Sequence, residues 1–598
     1  MEQELKDITK KLSAVAMGRE PAETVIKNTR LVNVNTGEIL ENTDIAVACG
    51  RIALVGDASH AIGEGTEVVD AAGMYAAPGF MDGHIHVESS MMTVREYART
   101  VIPHGTTSIF PDPHEIANVL GRGGVRFMMD DARGTPLRVF MMMPSCVPAV
   151  PAFEDAGAAL GPDDIADFME MEGIYGLGEM MNFPGVLYGD ENVHRELYAA
   201  LAKGKTVTGH YSMPETGPGL NAYIASGVRC CHESVRHEDA LAKMRLGMFA
   251  QIREGSAWRD LQEVVKAVTE RRIDTRLATL VSDDTHPNTL ISLGHMDHIV
   301  RRAVEEGVDP VTAVQMATIN VAQCYRLDRD LGSLSPGKLA DILLISDLAR
   351  VDVKKVFIGG RLAAEDRKLS IAIEKTAAPA FVLNTCHLKK PLAPEDFRIA
   401  APRGSAGTDR VRARVIEIIE ARVGTRAREC ELAVEDGFVP AAPERDIAKL
   451  AVVERHRATG TMGKGFVKGF RLKGGAVAST VAHDAHNLMV VGTNDADMAA
   501  AGSALAECGG GMAAVKDGKI LALLPLPIAG LMSGDSAPEI AARVMKLDEA
   551  WKALGCDLES PFMTMALLPL AVLPELRLTN RGLIDTVAYK FTDLFIDK

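Results

Sequence analysis

The stretch PGFMDGHIHVESSMM, residues 78–92, places His84 and His86 one residue apart after a short apolar run. Side chains at i and i+2 point the same way only on an extended strand, because side chains alternate between the two faces of a strand. The preceding run MYAAPGFMD is apolar and contains Pro and Gly, which is typical of a buried strand. The pattern fits either two ordinary histidines near a loop or the first half of a metal site.

The composition indicates a soluble globular protein with two to four domains, since 598 residues exceed the usual length of one. Hydrophobic residues make up 47% of the chain and charged residues 24%. A net charge of −15, without any Lys/Arg block, argues against a nucleic-acid partner. A neutral or cationic small substrate remains compatible with this charge.

The cysteines and the chain ends predict a reduced, cytoplasmic protein. Nine cysteines are scattered without a CxxC pair, and only Cys230 and Cys231 are adjacent. The N-terminal MEQELKDITKKLSAVA is typical of an amphipathic helix rather than of a signal peptide. The longest apolar run, FMTMALLPLAVLP at 562–574, is shorter than the roughly 20 residues that a bilayer requires. We therefore expect no membrane segment.

Three zones follow one another along the chain. Short strand-like runs with turn residues fill about 25–75 and return at about 332–364, which predicts one discontinuous β-domain with another domain inserted. Between them, about eight strand candidates alternate with helical patterns over about 250 residues, the rhythm of a (β/α)8 barrel. A doubly wound open sheet is the alternative, although no GxGxxG follows the first strand. The remainder mixes strand and helix signals and predicts a separate α+β domain.

Polar residues stand at the carboxyl ends of five of the predicted barrel strands, where the chemistry of such barrels is found. They are His84 and His86 on the first strand, Glu179 on the fourth, His210 on the fifth, His232 and Glu233 on the sixth, and Asp283 and Asp284 on the eighth. Imidazole and carboxylate together suit Zn²⁺, Mn²⁺ or Fe²⁺. Six candidate ligands with one central carboxylate fit two bridged metals better than one.

Two further clusters carry weaker signals. Asp112, His114 and Glu115 follow the second strand in TTSIFPDPHEIANVLG, where they fit either turn and capping roles or the orientation and protonation of a substrate. His483, Asp484 and His486 in STVAHDAHN have a spacing that permits metal binding. Because no further partner is near them in sequence, a structural or interface role is favoured over completion of a substrate pocket.

The motif PGFMDGHIHVESS resembles the first-strand signature of the amidohydrolase superfamily. The stretches DPHEIANVLG, GLGEMMNFPGV, GHYSMPETG, SDDTHP and STVAHDAHN, together with the long C-terminal region, are similar to the bacterial adenine deaminases of that superfamily. The resemblance covers almost the whole chain. It implies a (β/α)8 TIM barrel at 76–330, inserted in a small discontinuous β-sandwich at 1–75 and 331–378, with an additional α+β domain at 379–598.

The resemblance also implies a binuclear metal centre. His84, His86 and Asp283 match the ligands of the more buried metal, and His210 and His232 match those of the second. Glu179 matches a bridging carboxylate, at a place where hydantoinase and dihydroorotase relatives have a carboxylated lysine. The implied cofactors are two divalent ions (Mn, Fe or Zn), with Mn favoured for activity.

The implied reaction is hydrolysis of adenine to hypoxanthine and ammonia, a step of purine salvage, by a hydroxide that bridges the metals and attacks C6. Asp283 is the candidate acceptor of the water proton, and Glu115 is the candidate acid for N1. Asp112 and His114 would position the ring or the proton path. Asp284 and Glu233 are substrate-binding candidates, the former through a ring nitrogen or through support of Asp283.

Two other functions remain open at this point. One is a different binuclear amidohydrolase that acts on a cyclic amide or on another nucleobase. The other, less favoured because the ligand set is complete, is a metal-free scaffold without catalytic activity. We also expect a homodimer or a higher homo-oligomer, with no nucleic-acid or membrane partner.

Overall fold

The computed structural model describes residues 4–214, 216–271, 273–402, 409–420 and 422–596. The chain begins with helix α1 (Leu5–Ala16), followed by β1 (Thr24–Asn33), β2 (Glu38–Ala48), β3 (Arg51–Gly56), β4 (Glu67–Asp70) and β5 (Tyr75–Pro78). Helix α1 is amphipathic, as predicted: Ile8, Leu12 and Val15 form one apolar stripe and join the core cluster under β2 and β3.

The next ten strand segments form a parallel barrel of eight strands, two of which are each interrupted by one residue. They are β6 (Phe80–His86), β7 (Thr106–Pro111), β8 (Arg138–Val139), β9 (Met141–Met143), β10 (Ile174–Met180), β11 (Thr206–Gly209), β12 (Val228–Cys231), β13 (Phe249–Arg253), β14 (Ala278–Val281) and β15 (Asp283–Asp284). Phe140 divides the third barrel strand into β8 and β9, and Ser282 divides the eighth into β14 and β15. Parallel pairing of β15 with β6 closes the barrel, which confirms the predicted TIM barrel.

Fourteen helices of the described chain accompany these strands. They are α2 (Val94–Val101), α3 (His114–Leu120), α4 (Arg122–Ala132), α5 (Pro162–Met169), α6 (Phe183–Tyr188), α7 (Glu191–Ala202), α8 (Pro218–Ala225), α9 (His237–Arg245), α10 (Leu261–Val264), α11 (Lys266–Thr269), α12 (Pro287–Ser292), α13 (Met296–Glu305), α14 (Pro310–Met316) and α15 (Ile319–Cys324). Several begin at side-chain caps: Asp190 accepts the Val193 amide at the start of α7, and Asp309 accepts two amides at the start of α14.

After the barrel the chain returns to the first sheet through β16 (Ile342–Ile345), β17 (Val353–Ile358), β18 (Arg361–Glu365) and β19 (Lys368–Leu369). β16 pairs antiparallel with β5, so strands from both sides of the barrel share one sheet. All nine strands are joined in the order β19-β18-β17-β16-β5-β1-β2-β3 with β4 beside β1. Ile45, Ile52 and Leu344 belong to an apolar core that strands from both sides of the barrel share, as expected of the predicted discontinuous β-domain. The exact domain boundaries stay a prediction.

The C-terminal region is an α+β domain, as predicted. Its strands are β20 (Arg410–Ile418), β21 (Thr425–Ala433), β22 (Ile447–Val453), β23 (Met462–Lys468), β24 (Ala476–Ser479), β25 (Leu488–Gly492), β26 (Gly511–Lys516), β27 (Lys519–Pro525), β28 (Leu576–Thr579), β29 (Gly582–Asp585) and β30 (Lys590–Phe591), and its helices are α16 (Asp495–Cys508), α17 (Ala537–Leu554) and α18 (Pro561–Ala566). Strands β20–β27 form an eight-stranded sheet against which α16 and α17 pack.

The C-terminal domain packs directly on the barrel. One apolar core contains Val94 of α2 and Leu290 of α12 together with Leu531 and Ile540 from the C-terminal domain. This shared core fixes the position of the C-terminal domain relative to the carboxyl ends of the barrel strands. Among the described residues, no helix is long and apolar enough to cross a membrane.

Candidate metal centre and substrate cavity

The barrel brings the predicted ligands together at one end. His84 and His86 lie on β6, Glu179 lies on β10, and His210 and His232 directly follow β11 and β12. Asp283 begins β15, where it pairs in register with Ile85 of β6. All six predicted ligands thus meet at the carboxyl ends of parallel strands, and five of them are buried.

The first group of donors surrounds one oxygen of Asp283. Asp283 Oδ1 lies 3.2 Å from His84 Nε2 and 3.3 Å from His86 Nε2. His86 donates its Nδ1 proton to the Asp112 carbonyl over 2.9 Å, which leaves its Nε2 lone pair directed at the centre. This arrangement matches three ligands for one divalent cation.

Glu179 lies between the two groups of imidazoles. Its Oε1 is 3.6 Å from His86 Nε2, on the side of the first group. Its Oε2 is 2.5 Å from His210 Nδ1 and 3.1 Å from His232 Nε2. One carboxylate therefore faces donors of both groups, as a bridging ligand must.

The donor set fits divalent cations. His84 Nε2 is buried and makes no hydrogen bond of normal geometry in the described part of the chain, although Asp283 Oδ1 lies 3.2 Å away and a buried imidazole nitrogen normally has such a bond. Burial, helped by His232, lowers the pKa of His84 to about 4, so its ring is neutral and able to coordinate. At His210 burial opposes a charge, but Glu233 and Glu179 raise the pKa to about 9. The carboxylates thus draw positive charge to this centre.

Arg253, at the end of β13, is a site residue that sequence analysis missed. It is buried and donates Nη1 to Asp283 Oδ2 over 2.8 Å and to Glu233 Oε1 over 2.5 Å. Burial alone would raise the pKa of Glu233, but Arg253 with His210 and His232 lowers it to about 2. Arg253 ends the observed strand, but an arginine is not a metal ligand, so a pattern of metal ligands at strand ends does not include it.

The second-strand residues occupy different places. His114 bridges two carboxylates, with Nδ1 3.2 Å from Glu179 Oε1 and Nε2 3.4 Å from Glu115 Oε1. Asp112 instead lies outside the cavity lining formed by the described residues, where its Oδ2 accepts the Glu179 amide over 2.6 Å. Burial, the larger effect, raises the pKa of Asp112 to about 6. Asp112 is thus an anchor for Glu179 and His86.

The C-terminal cluster lies at this centre, contrary to the role that sequence analysis favoured. His483 Nδ1 is 2.8 Å from Glu115 Oε1, and His486 Nε2 contacts Glu115 Oε2. Asp484 Oδ1 is 4.0 Å from His114 Nε2. The partner that seemed to be missing is Glu115, which is far away in sequence and is brought close by the packing of the two domains.

A cavity of about 770 Å³ opens above the ligands. Its polar wall includes Asp284, which accepts a hydrogen bond from Ser89, and Glu233. The facing apolar wall comes from the C-terminal domain and consists of Val423, Leu567, Leu570, Val572 and Leu573. The run 562–574 therefore forms α18 and this wall. A cavity with a polar floor and an apolar wall suits a small planar heterocycle.

Known proteins match the chain over both parts of this cavity. The model of the amidohydrolase family matches residues 75–363, and the model of the adenine deaminase C-terminal domain matches 422–590. An adenine deaminase of Clostridium botulinum (strain ATCC 19397 / Type A) is 60% identical over 594 residues, 99% of this chain and 98% of the relative. An adenine deaminase of Moorella thermoacetica is 59% identical over 590 residues, with the same coverage, and one of Mesorhizobium japonicum is 51% identical over 584 residues, 97% of this chain and 96% of the relative.

The chain belongs to the adenine deaminase family. The amidohydrolase match spans all six candidate ligands, and the match to the adenine deaminase C-terminal domain spans His483, Asp484 and His486. The resemblance read from the sequence motifs is thereby confirmed. The cluster of His, Glu and Asp in this family member is suited to divalent metal ions.

Proposed function

We propose that this protein hydrolyses adenine to hypoxanthine and ammonia with the help of two divalent metal ions. The observation that carries the proposal is the place of Glu179 between two groups of imidazoles, at the floor of a cavity for a small molecule. His84, His86 and Asp283 would hold one ion, His210 and His232 the other, and Glu179 both. When bound, the ions supply Lewis acidity that lowers the pKa of water towards neutrality.

Asp283 handles the proton that the attacking water loses. Arg253 holds Asp283 Oδ2 over 2.8 Å, so the carboxylate is fixed with Oδ1 facing His84 and His86. Asp283 accepts one water proton and passes it to the departing amine, so that ammonia leaves. The other water proton leaves the C6 hydroxyl as the carbonyl of hypoxanthine forms, and it replaces the proton that the protein gives to N1. The fixed orientation of the carboxylate keeps it in place through both transfers.

Glu115 and His483 together supply the proton that N1 of adenine takes up. Burial opposes a charge on His483, but Glu115 raises the pKa of His483 to about 9, so the pair holds one proton at neutral pH. The two groups are 2.8 Å apart and both line the cavity. The acid is thus a carboxylate–imidazolium pair rather than Glu115 alone.

The other predicted residues support Asp283 and the Glu115–His483 pair. His114 lies between Glu179 and Glu115 and orients both carboxylates. Asp112 acts on Glu179 and His86 through their hydrogen bonds rather than by contact with the ring. Asp284 and Glu233 line the cavity and provide acceptors for the polar edge of the purine.

The test is ammonia release from adenine by metal-free protein reloaded separately with Mn²⁺, Fe²⁺ or Zn²⁺. We expect release from adenine in at least one loaded state, none in the metal-free state, and none from guanine or cytosine. Ring opening of a hydantoin or dihydroorotate, with adenine untouched in all three states, would contradict the proposal. It would assign the centre to a cyclic-amide hydrolase instead.

Three finer expectations from the sequence stay predictions. They are the preference for Mn among the metals, the homodimer or higher homo-oligomer, and the cytoplasmic location. The metal comparison in the assay above tests the first, and light scattering of the metal-loaded protein tests the second. Fractionation of the source cells tests the third.

A further inference from the structure

One loop of the C-terminal domain, residues 480–487 between β24 and β25, contacts a carboxylate that belongs to the barrel. Glu115, at the start of α3, is buried and has one oxygen directed at each of two C-terminal imidazoles. Oε1 lies 2.8 Å from His483 Nδ1, and Oε2 contacts His486 Nε2. His483 lines the cavity, whereas His486 lies behind Glu115, outside the lining formed by the described residues.

The tautomer of His486 follows from its second ring nitrogen. The Ala482 amide lies 3.1 Å from His486 Nδ1 and can only donate, so Nδ1 is the acceptor and carries no hydrogen. Burial lowers the pKa of His486 to about 4, which leaves the ring neutral at neutral pH. Its single ring hydrogen therefore sits on Nε2, the nitrogen that contacts Glu115 Oε2, and neither of these two buried atoms has another hydrogen-bond partner among the described residues. In this tautomer His486 is a hydrogen-bond donor and has no free Nε2 lone pair for a metal.

The loop that carries His486 is fixed from behind. Arg455 is fully buried and donates Nε to the His486 carbonyl over 2.5 Å. The same guanidinium donates to the Thr385 carbonyl over 3.1 Å and to the Ala529 carbonyl over 2.9 Å. His486 has φ of 51°, in the left-handed region that residues other than glycine seldom adopt. Arg455 offsets the cost of this conformation and keeps the ring in one place.

We propose that His486 is a positioning residue of the reaction, whose Nε2 hydrogen holds Glu115 Oε2 so that Oε1 stays directed at His483 and at the substrate. The inference rests on the proposed deamination, in which Glu115 and His483 handle the proton of N1. It gives the C-terminal domain a part in catalysis that does not require His486 to touch adenine. A carboxylate that could rotate would lose the orientation that proton transfer requires.

Two amide substitutions separate this role from a structural one. In His486→Gln the amide nitrogen replaces Nε2 and keeps the donor to Glu115. In His486→Asn the amide replaces Nδ1, so it keeps a partner for the Ala482 amide but cannot reach Glu115. We expect kcat for adenine to fall about 10- to 100-fold in His486→Asn and only a few-fold in His486→Gln. KM and a content of two metals per chain are expected to stay unchanged in both.

A double-mutant cycle sharpens the test, because Glu115→Gln already removes the charge that His486 holds. Adding His486→Asn to Glu115→Gln is expected to lower kcat little further than Glu115→Gln alone. If the two residues acted independently, their separate reductions in kcat would multiply. His194→Asn is the control, since this exposed histidine on α7 hydrogen-bonds the Val186 carbonyl through its ring and lies outside the cavity lining formed by the described residues.

Three outcomes would overturn the inference. One is kcat in His486→Asn equal to or higher than in His486→Gln. Another is full multiplication of the effects in the double mutant. The third is a third metal ion per chain that disappears in His486→Gln, which would make His486 a ligand. An unmutated protein that leaves adenine untouched would overturn the proposed function as well, so the two failures are distinguishable.

Discussion

On the barrel side of the cavity the candidate ligands stand at the ends of parallel strands, whereas on the C-terminal side His483 and His486 lie on one short loop. Strand pairing fixes the first set, as when β15 pairs with β6 and places Asp283 beside the histidines. A buried arginine, Arg455, fixes the second set by binding the loop carbonyl of His486. In the proposed function the barrel side binds the metal ions, and the C-terminal side takes part in proton supply and substrate contact. Changes on the two sides are expected to have different consequences.

The largest effect is expected from Glu179→Gln, which removes the carboxylate between the two groups of imidazoles. We expect fewer than two metals per chain by elemental analysis, and a loss of activity well beyond the roughly 100-fold that loss of an outer partner costs. Glu196→Gln, a buried glutamate on α7, is the matched control and is expected to keep both metals. Two metals per chain and full activity in Glu179→Gln would contradict the assignment of Glu179 as a bridging ligand.

Substitution of the buried Lys243 tests whether the loops that follow the barrel strands help to position the metal ligands. Lys243 Nζ donates to the Glu233 carbonyl over 2.7 Å, to Ser234 Oγ over 2.9 Å and to the Tyr211 carbonyl over 3.3 Å, so it ties the loops after His210 and His232 together. Lys243→Met keeps most of the volume but removes these bonds. We expect about 10- to 100-fold weaker binding of one of the two metals in competition with a chelator.

The control for that variant is Lys519→Met, because Lys519 is exposed on β27. Equal weakening of both metals in Lys243→Met would contradict the assignment of His210 and His232 to a separate ion. Unchanged affinity would show that strand geometry alone orders the ligands, and would sharpen the contrast between strand ends and loops.

The sequence predicted the barrel side well, because alternation of strands and helices forces strand-end residues to one place whatever their distance along the chain. His84, Glu179 and Asp283 could be related in this way without a structure. No such rule relates Glu115 to His483, since their contact depends on how two domains pack. For the same reason the apolar run at 562–574 could be recognised as too short for a membrane but not as a cavity wall.

Proton release distinguishes the two sides in the metal-free protein. Glu233 and Glu179 raise the pKa of His210 to about 9 against the effect of burial, so a metal must displace a proton from His210 at pH 7. Affinity for metal is therefore expected to rise by up to about tenfold per pH unit towards pH 9, with less gain above it. Metal titration in weakly buffered solution with a pH indicator measures the released proton.

His483 provides the contrast to His210, since its pKa is also raised to about 9, by Glu115 against the effect of burial, but the proposed function places it outside the six metal ligands. We expect His483→Gln to leave proton release on metal binding at pH 7 nearly unchanged and to reduce kcat for adenine. If His483→Gln released one proton fewer per chain on metal binding, His483 would be among the groups that lose a proton to the metal. That result would contradict its assignment to proton supply.

The smallest effect is expected from the apolar wall on the C-terminal side. Leu573 is partly buried and lines the cavity, and its backbone carbonyl, rather than its side chain, accepts the hydrogen bonds from Arg577 and Thr586. Leu573→Ala therefore removes apolar contact of about 1 kcal/mol, or about fivefold in KM for adenine, while kcat and metal content stay unchanged. Val587→Ala, at a side chain that is 74% exposed, is the control. A fall in kcat with KM unchanged would mean that this wall orders the proton-supplying pair rather than the purine.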